Sequence, residues 1–134
     1  MTVDALAATW GPRLLSILRI MAGLMLLEHG TAKIVKFPVV PTMANMDLSS
    51  LVGIAGFFEL VGGALLLVGL WTRPVAFILS GMCAVAYLYA HWHQRGIFFP
   101  ILNGGELAAL YTFTLLYIAA AGGGPWSVDA SRGK

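Results

Sequence analysis

Apolar residues fall into four blocks, separated by short segments rich in proline, glycine and polar residues. The first block predicts a helix over residues 12–34, with Pro12 in its first turn. Its purely apolar centre, Ile20 to Leu27, is short and lies between Arg19 and Glu28. Residues 37–50 carry Pro38 and Pro41 and read as a connection, because proline cannot continue a helix. A second helix is predicted over 51–70, with Glu59 its one charge. Trp71, Thr72, Arg73 and Pro74 then form a tight turn. A third helix is predicted over 74–93 and a fourth over 104–121, the latter stopped by Gly122-Gly123-Gly124-Pro125. Each block approaches the roughly 20 residues that a helix needs to cross hydrocarbon. Trp10, Trp71, Trp92 and Trp126 fall at the predicted helix boundaries, where an interfacial aromatic belt belongs. The expected fold class is all-α, an integral membrane four-helix bundle, with residues 1–134 as one domain.

Composition supports that reading. The chain has 134 residues, of which 59% are hydrophobic and 10% charged, with mean hydropathy +0.85. Soluble domains carry about 25% charged residues. The net charge of +2 is scattered, with no basic cluster of the kind that binds nucleic acid. Cys83 is the only cysteine, so no internal disulfide or CxxC pair exists. Arg19 interrupts the first apolar run and no A-x-A site follows, so the N-terminal segment is expected to be retained. Four crossings put both termini on one side, with Arg13, Arg73, Arg132 and Lys134, while Lys33, Lys36 and Arg95 lie on the other. The positive-inside rule then favours cytoplasmic termini in a bacterial cell membrane.

The polar residues inside the blocks carry the functional signal. An ionisable group in hydrocarbon costs about 2.5–3.5 kcal/mol on insertion scales, so it usually faces the bundle interior. Glu28, His29 and Lys33 end the first helix. Glu59 lies about 12 Å along the second at 1.5 Å per residue. His91 ends the third, and Asn103 and Glu106 begin the fourth. All therefore converge on one half of the membrane. At about 100° per residue, Arg19, Gly23, Gly30 and Lys33 share a face, as do Gly56, Glu59, Gly62 and Gly63. Ser80, Ala84, Tyr87 and His91 form a third stripe; Asn103, Glu106, Leu110, Thr114 and Tyr117 form a fourth. The expected interior set is Arg19, His29, Lys33, Glu59, Tyr87, His91, Asn103 and Glu106, with Glu28 turned away from Lys33.

Plainer roles exist for each. Arg19 with Glu59 would make an ion pair near the midplane, Lys33 would snorkel to the headgroups, the tyrosines would pack, and Asn103 would cap a helix. Imidazole and carboxylate suit a metal, yet the Glu-x-x-His motif of bundle metal sites is missing from the sequence. Haem held by His29 and His91 is a lesser alternative. A relay for protons or ions, as in a small transporter, finds only Arg19 in the other membrane half. A quinone or similar lipid-like ligand fits better, since it needs donors at headgroup depth, an apolar groove for its tail and a carboxylate to take a proton.

These residues also carry a resemblance. Arg19-Ile20 through Glu28-His29-Gly30-Thr31-Ala32-Lys33, Glu59-Leu60-Val61-Gly62-Gly63 through Gly69-Leu70-Trp71-Thr72-Arg73, Asn103-Gly104-Gly105-Glu106 and Gly122 through Asp129 match the DoxX family in order and spacing. The chain resembles DoxX proteins over nearly its full length, although Gly122–Trp126 reads GGGPW where a GPGR-like sequence is usual. The resemblance implies a four-helix bundle and raises the expectation of quinone-linked redox work, with relatives serving as oxidoreductase subunits or accessory proteins. The candidate roles are Glu59 and Glu106 as proton acceptors and His29, His91 and Asn103 as ligand partners. Arg19 and Lys33 would give electrostatic support, with Glu28 and Tyr87 completing the ligand-binding set. No electron carrier is evident in the chain, and four short helices bury limited surface, so a membrane redox partner or self-association is expected.

Overall fold

A computed structural model describes all 134 residues. The chain is all-helical, an integral membrane bundle of four long helices with three short ones. Helix α1 spans Val3–Ile34, α2 Leu51–Val68, and α3 Thr72–Ala86, the last continuing as a π-helical stretch over Tyr87–His93. Then follow α4 (Pro100–Asn103), α5 (Glu106–Ala121) and α6 (Val128–Ser131), and a 3₁₀ turn at Pro41–Met43 lies in the first connection. Three of the helices are long and apolar enough to cross a membrane, and α5 is a shorter apolar helix of 16 residues.

The second helix stops two residues before its expected end. Gly69 adopts the left-handed conformation (φ +74°), and both its N–H and that of Leu70 return to Leu65 O. Helix α1 begins nine residues earlier than expected, capped by the Thr2 hydroxyl. Its added segment is rich in alanine, the strongest helix former, and Pro12 and Trp10 consequently lie inside the helix.

Helices α1 and α2 pack most closely, because small residues let their backbones meet. A Cβ on Gly23 would strike the backbone of Leu66 and Leu67, one on Gly63 that of Leu27, and one on Gly30 that of Leu60. These three crossings fix an antiparallel register. Helices α3 and α5 form a second close pair, in which the Ser80 hydroxyl donates to Thr112 O at 2.6 Å. Between the pairs lies an apolar core of Ala22, Leu26, Leu66, Ala76, Leu79, Cys83, Tyr111, Leu115 and Ile118.

The predicted interior faces of the first two helices are the buried ones. That of the fourth is not. Tyr111, Leu115 and Ile118 face the core, while Leu110 and Tyr117 are exposed. The helix is apolar all round, so Glu106 dominates any phase read from sequence. That carboxylate in fact stands exposed in the first turn, where it complements the helix dipole.

Gly63→Ala is expected to lose about 1–3 kcal/mol through overpacking. Gly81, whose Cβ position is open, is expected to gain about 0.5–1 kcal/mol as alanine. Thermal unfolding of both variants in the same detergent checks the contrast.

Candidate functional site

Three polar centres lie within the bundle. The first is an ion pair. Lys33 Nζ donates to both Glu59 carboxylate oxygens, at 3.0 and 2.8 Å, and both residues are buried. A Cβ on Gly56 would meet the Lys33 chain, so that glycine leaves the room in which Lys33 lies against α2. Removing one member of such a pair strands the other in a medium of low dielectric, at a cost of about 3–5 kcal/mol. Lys33 therefore does not snorkel, and it, not Arg19, is the partner of Glu59. His29 lies within electrostatic reach of Glu59. Its Nδ1 bonds Met25 O at 2.8 Å. In the neutral ring this carbonyl fixes the proton on Nδ1 and leaves Nε2 as an acceptor. Cys83 of α3 and Tyr111 of α5 also lie within reach of the Glu59 charge. The hydrogen-bonded centre itself joins α1 and α2. Cys83 and Tyr111 are both buried in the apolar core, as their reading as packing residues expects.

The second centre closes the turn between α3 and α5. Asn103 is fully buried. Its Nδ2 donates to Ile97 O at 2.8 Å, Phe98 O at 3.2 Å and the Tyr87 hydroxyl at 3.3 Å, and its Oδ1 accepts from Gly105 N at 2.8 Å. The Tyr87 hydroxyl donates to Phe98 O, and His91 Nδ1 bonds Asn103 O at 3.2 Å. Tyr87 and His91 both lie on the π-helical stretch, with their rings stacked at 6.4 Å between centroids. All three residues thus hold the loop together, and none bonds the Lys33–Glu59 pair. Glu28 and Glu106 are exposed and join neither centre. No group of three or more His, Cys, Asp or Glu side chains gathers at metal-binding distance.

The third centre was not foreseen. Arg19 has no exposed surface and lies level with the last turn of α2, not near the midplane. Its guanidinium donates to Leu66 O and Leu67 O at 2.9 and 2.8 Å, to Gly123 O at 2.9 Å and to Trp126 O at 2.5 Å. A cation thereby satisfies the free carbonyls at a helix C-terminus. Arg73 does the same for α5, donating to Ala119 O and Ala120 O. Asp129 supplies the opposite charge to the N-terminus of α3, accepting from Trp71 N at 2.9 Å and Thr72 N at 2.8 Å. Partial burial works against the Asp129 carboxylate. The Thr72 and Trp71 N–H groups and the Arg132 charge outweigh it and hold its pKa below the ordinary value. The capping side chain also starts α3 at Thr72, two residues before its expected start.

This geometry defines a small polytopic membrane protein with a buried ion pair at its centre and a charged clasp at one end. The DoxX family model matches residues 14–92, more than half of the chain, and the protein belongs to the DoxX family. A relative from Haemophilus influenzae, described as an uncharacterized protein, is 44% identical over 120 residues, which cover 88% of this chain and 90% of the relative. No solved structure matches the chain.

Arg19→Lys is expected to destabilise the bundle by more than about 3 kcal/mol, because an ammonium lacks the planar fork that reaches four carbonyls. Limited proteolysis is then expected to cut within residues 122–127 more readily than in the wild type. The clasp should also depend on pH. The folded-state pKa of Asp129 is depressed, so its contribution is fully present above the ordinary value of 3.8 and is lost as pH falls through the lower folded value. Asp129→Asn should abolish this acid-dependent part of unfolding, measured by thermal melts from pH 6 downward.

Proposed function

We propose that this DoxX-family protein is a membrane subunit linked to an oxidoreductase system. Its Lys33–Glu59 centre binds a quinone or similar lipid-like ligand. The observation that carries this reading is the pairing of a buried ammonium and carboxylate roughly 12 Å along α2 from its start, with His29 within electrostatic reach. The donor set suits a carbonyl-bearing ring: Lys33 offers N–H donors, while Glu59 and His29 Nε2 offer acceptors for a hydroxyl. Reduction or oxidation of such a ring supplies the redox chemistry. The chain's own residues bind it, orient it and accept a proton at a Glu59 oxygen, with Lys33 holding the carboxylate in place and stabilising its charge. The setting is the cell membrane of a bacterium, with cytoplasmic termini and a redox partner that supplies the electrons.

A second reading is favoured by the completeness of the polar bonding: Lys33, Arg19 and Asn103 each link separate elements. On that reading the protein is a non-catalytic accessory or assembly factor, and its polar centres only lock the bundle that it presents to a partner.

Glu59→Gln separates the two. The stranded Lys33 lowers the melting temperature on either reading, so the ligand is the discriminating readout. A ligand site predicts wild-type protein that retains a quinone in mild detergent, and a variant that binds it at least tenfold more weakly at a temperature where its bundle is still folded. A purely structural pair predicts wild-type protein that retains and binds no quinone, and a variant whose one further defect is poorer recovery with the partner.

A further inference from the structure

Within the spans, Arg19 reaches four carbonyls and Lys33 pairs with Glu59. Glu28 has no such partner. It is exposed, and its carboxylate makes no hydrogen bond or ion pair within the chain; only its main-chain carbonyl is engaged by a side chain, the Thr31 hydroxyl. Two close crossings fix its depth. A Cβ on Gly63 would strike Leu27, and one on Gly30 would strike Leu60. Glu28 is therefore level with about residue 62 of α2, roughly 9 Å from Val68 and 16 Å from Leu51 at 1.5 Å per residue. A glutamate stem is too short to carry its carboxylate from there to the headgroups. Ionisable groups at such a depth face a bundle interior or water, or pair with another charge. This one faces outward.

The surface around it has the pattern of a helix seam. At about 100° per residue, Leu14, Ile17, Met21 and Leu24 lie within about 40° of Glu28 on α1, and all four are exposed. Their spacing alternates between three and four residues, the repeat by which one helix packs along another. Leu14, Ile17 and Met21 also line a groove of about 530 Å³ beside Tyr117 of α5. The same spacing continues back through Trp10, Ala7 and Val3. There α1 has left the bundle behind, since residues 3–12 are all exposed. One straight seam thus runs from the free end of α1 to a carboxylate deep in the span.

We propose that this face of α1 docks a transmembrane helix of a different protein, which sets a lysine or arginine against Glu28. Charge complementarity selects the occupant. A second copy related by an axis along the membrane normal brings each face against itself, and so Glu28 against Glu28. Nor does this chain hold a free cation at that depth. Arg19 and Lys33 are bonded internally, His29 Nδ1 bonds Met25 O, and the other lysines and arginines lie near span ends or in connections. Lipid tails offer no donor at all. The inference does not rest on quinone binding: both readings above place a partner beside the bundle, and this one gives that partner a face and a charge.

The test places a benzophenone amino acid at Leu24 in the full-length protein, in the membranes of cells that make it, and sequences the photo-crosslinked peptides. The expected product is a transmembrane peptide of another protein, with a lysine or arginine within one helical turn of the crosslinked residue. Glu28→Gln is expected to lower its yield about tenfold while leaving the melting temperature of the purified chain unchanged. Glu28→Lys is expected to abolish the product, and replacing the partner's cation with glutamate to restore it. A product that is a second copy of this chain, lipid alone, or a helix without a cation at that depth overturns the proposal. So does a yield indifferent to Glu28→Gln, or a melting temperature lowered by it, since the carboxylate then serves the fold. Quinone retention by the wild type is read separately, so the ligand reading stands or falls apart from these outcomes.

Discussion

Hydrocarbon offers no hydrogen bonds, and the structure depends on how Arg19 meets that constraint. A fully buried guanidinium would be prohibitive alone. Here its donors go to four carbonyls, two from the C-terminus of α2 and two from the glycine-rich segment after α5. The carbonyls need donors as much as the cation needs acceptors, so each offsets the other's desolvation. The contact also fixes the depth of α1 against α2. Once Arg19 is level with Leu66 and Leu67, the antiparallel register brings Gly30 to Leu60 and Lys33 to Gly56, and Glu59 comes within reach of the Lys33 ammonium.

The two charged centres therefore differ in kind. At the clasp, charges are matched to helix ends: Arg19 and Arg73 serve C-terminal carbonyls, and Asp129 serves N-terminal amides. Such contacts have the character of capping, and their purpose is exhausted by the fold. The Lys33–Glu59 pair caps nothing. It holds two full charges inside the bundle, a cost that packing alone does not require. That difference is why the functional reading centres on the pair, while Arg19 is placed among the structural residues.

Much of the fold was legible in the sequence, for identifiable reasons. Helices α1 and α2 carry sparse polar and small residues on long apolar faces, and the stripes through Gly23, Gly30 and Lys33 and through Gly56, Glu59 and Gly63 are the ones buried. Helix α5 carries no such contrast. One terminal glutamate set its apparent phase, and Tyr111 was passed over in favour of Tyr117 and Leu110. The partners of Arg19 were illegible because main-chain carbonyls leave no mark on a sequence; a carboxylate was the expected partner, and four peptide oxygens took its place. Asn103, Tyr87 and His91 were correctly brought to one end of the bundle, but their hydrogen bonds go to loop backbone. A side chain's neighbourhood can be read from periodicity, whereas its partner depends on loop conformation that periodicity does not encode.

The clasp has a consequence for the order of synthesis. The chain is made from its N-terminus, so α1 through α5 are complete before Gly123, Trp126 and Asp129 exist. Until those residues emerge, Arg19 lacks two of its four acceptors and the first turn of α3 lacks its carboxylate. The nascent bundle thus holds its long helices with one end still open. Residues 122–131 act as a closing latch, and a chain interrupted before them has every membrane span but not the means to seal it.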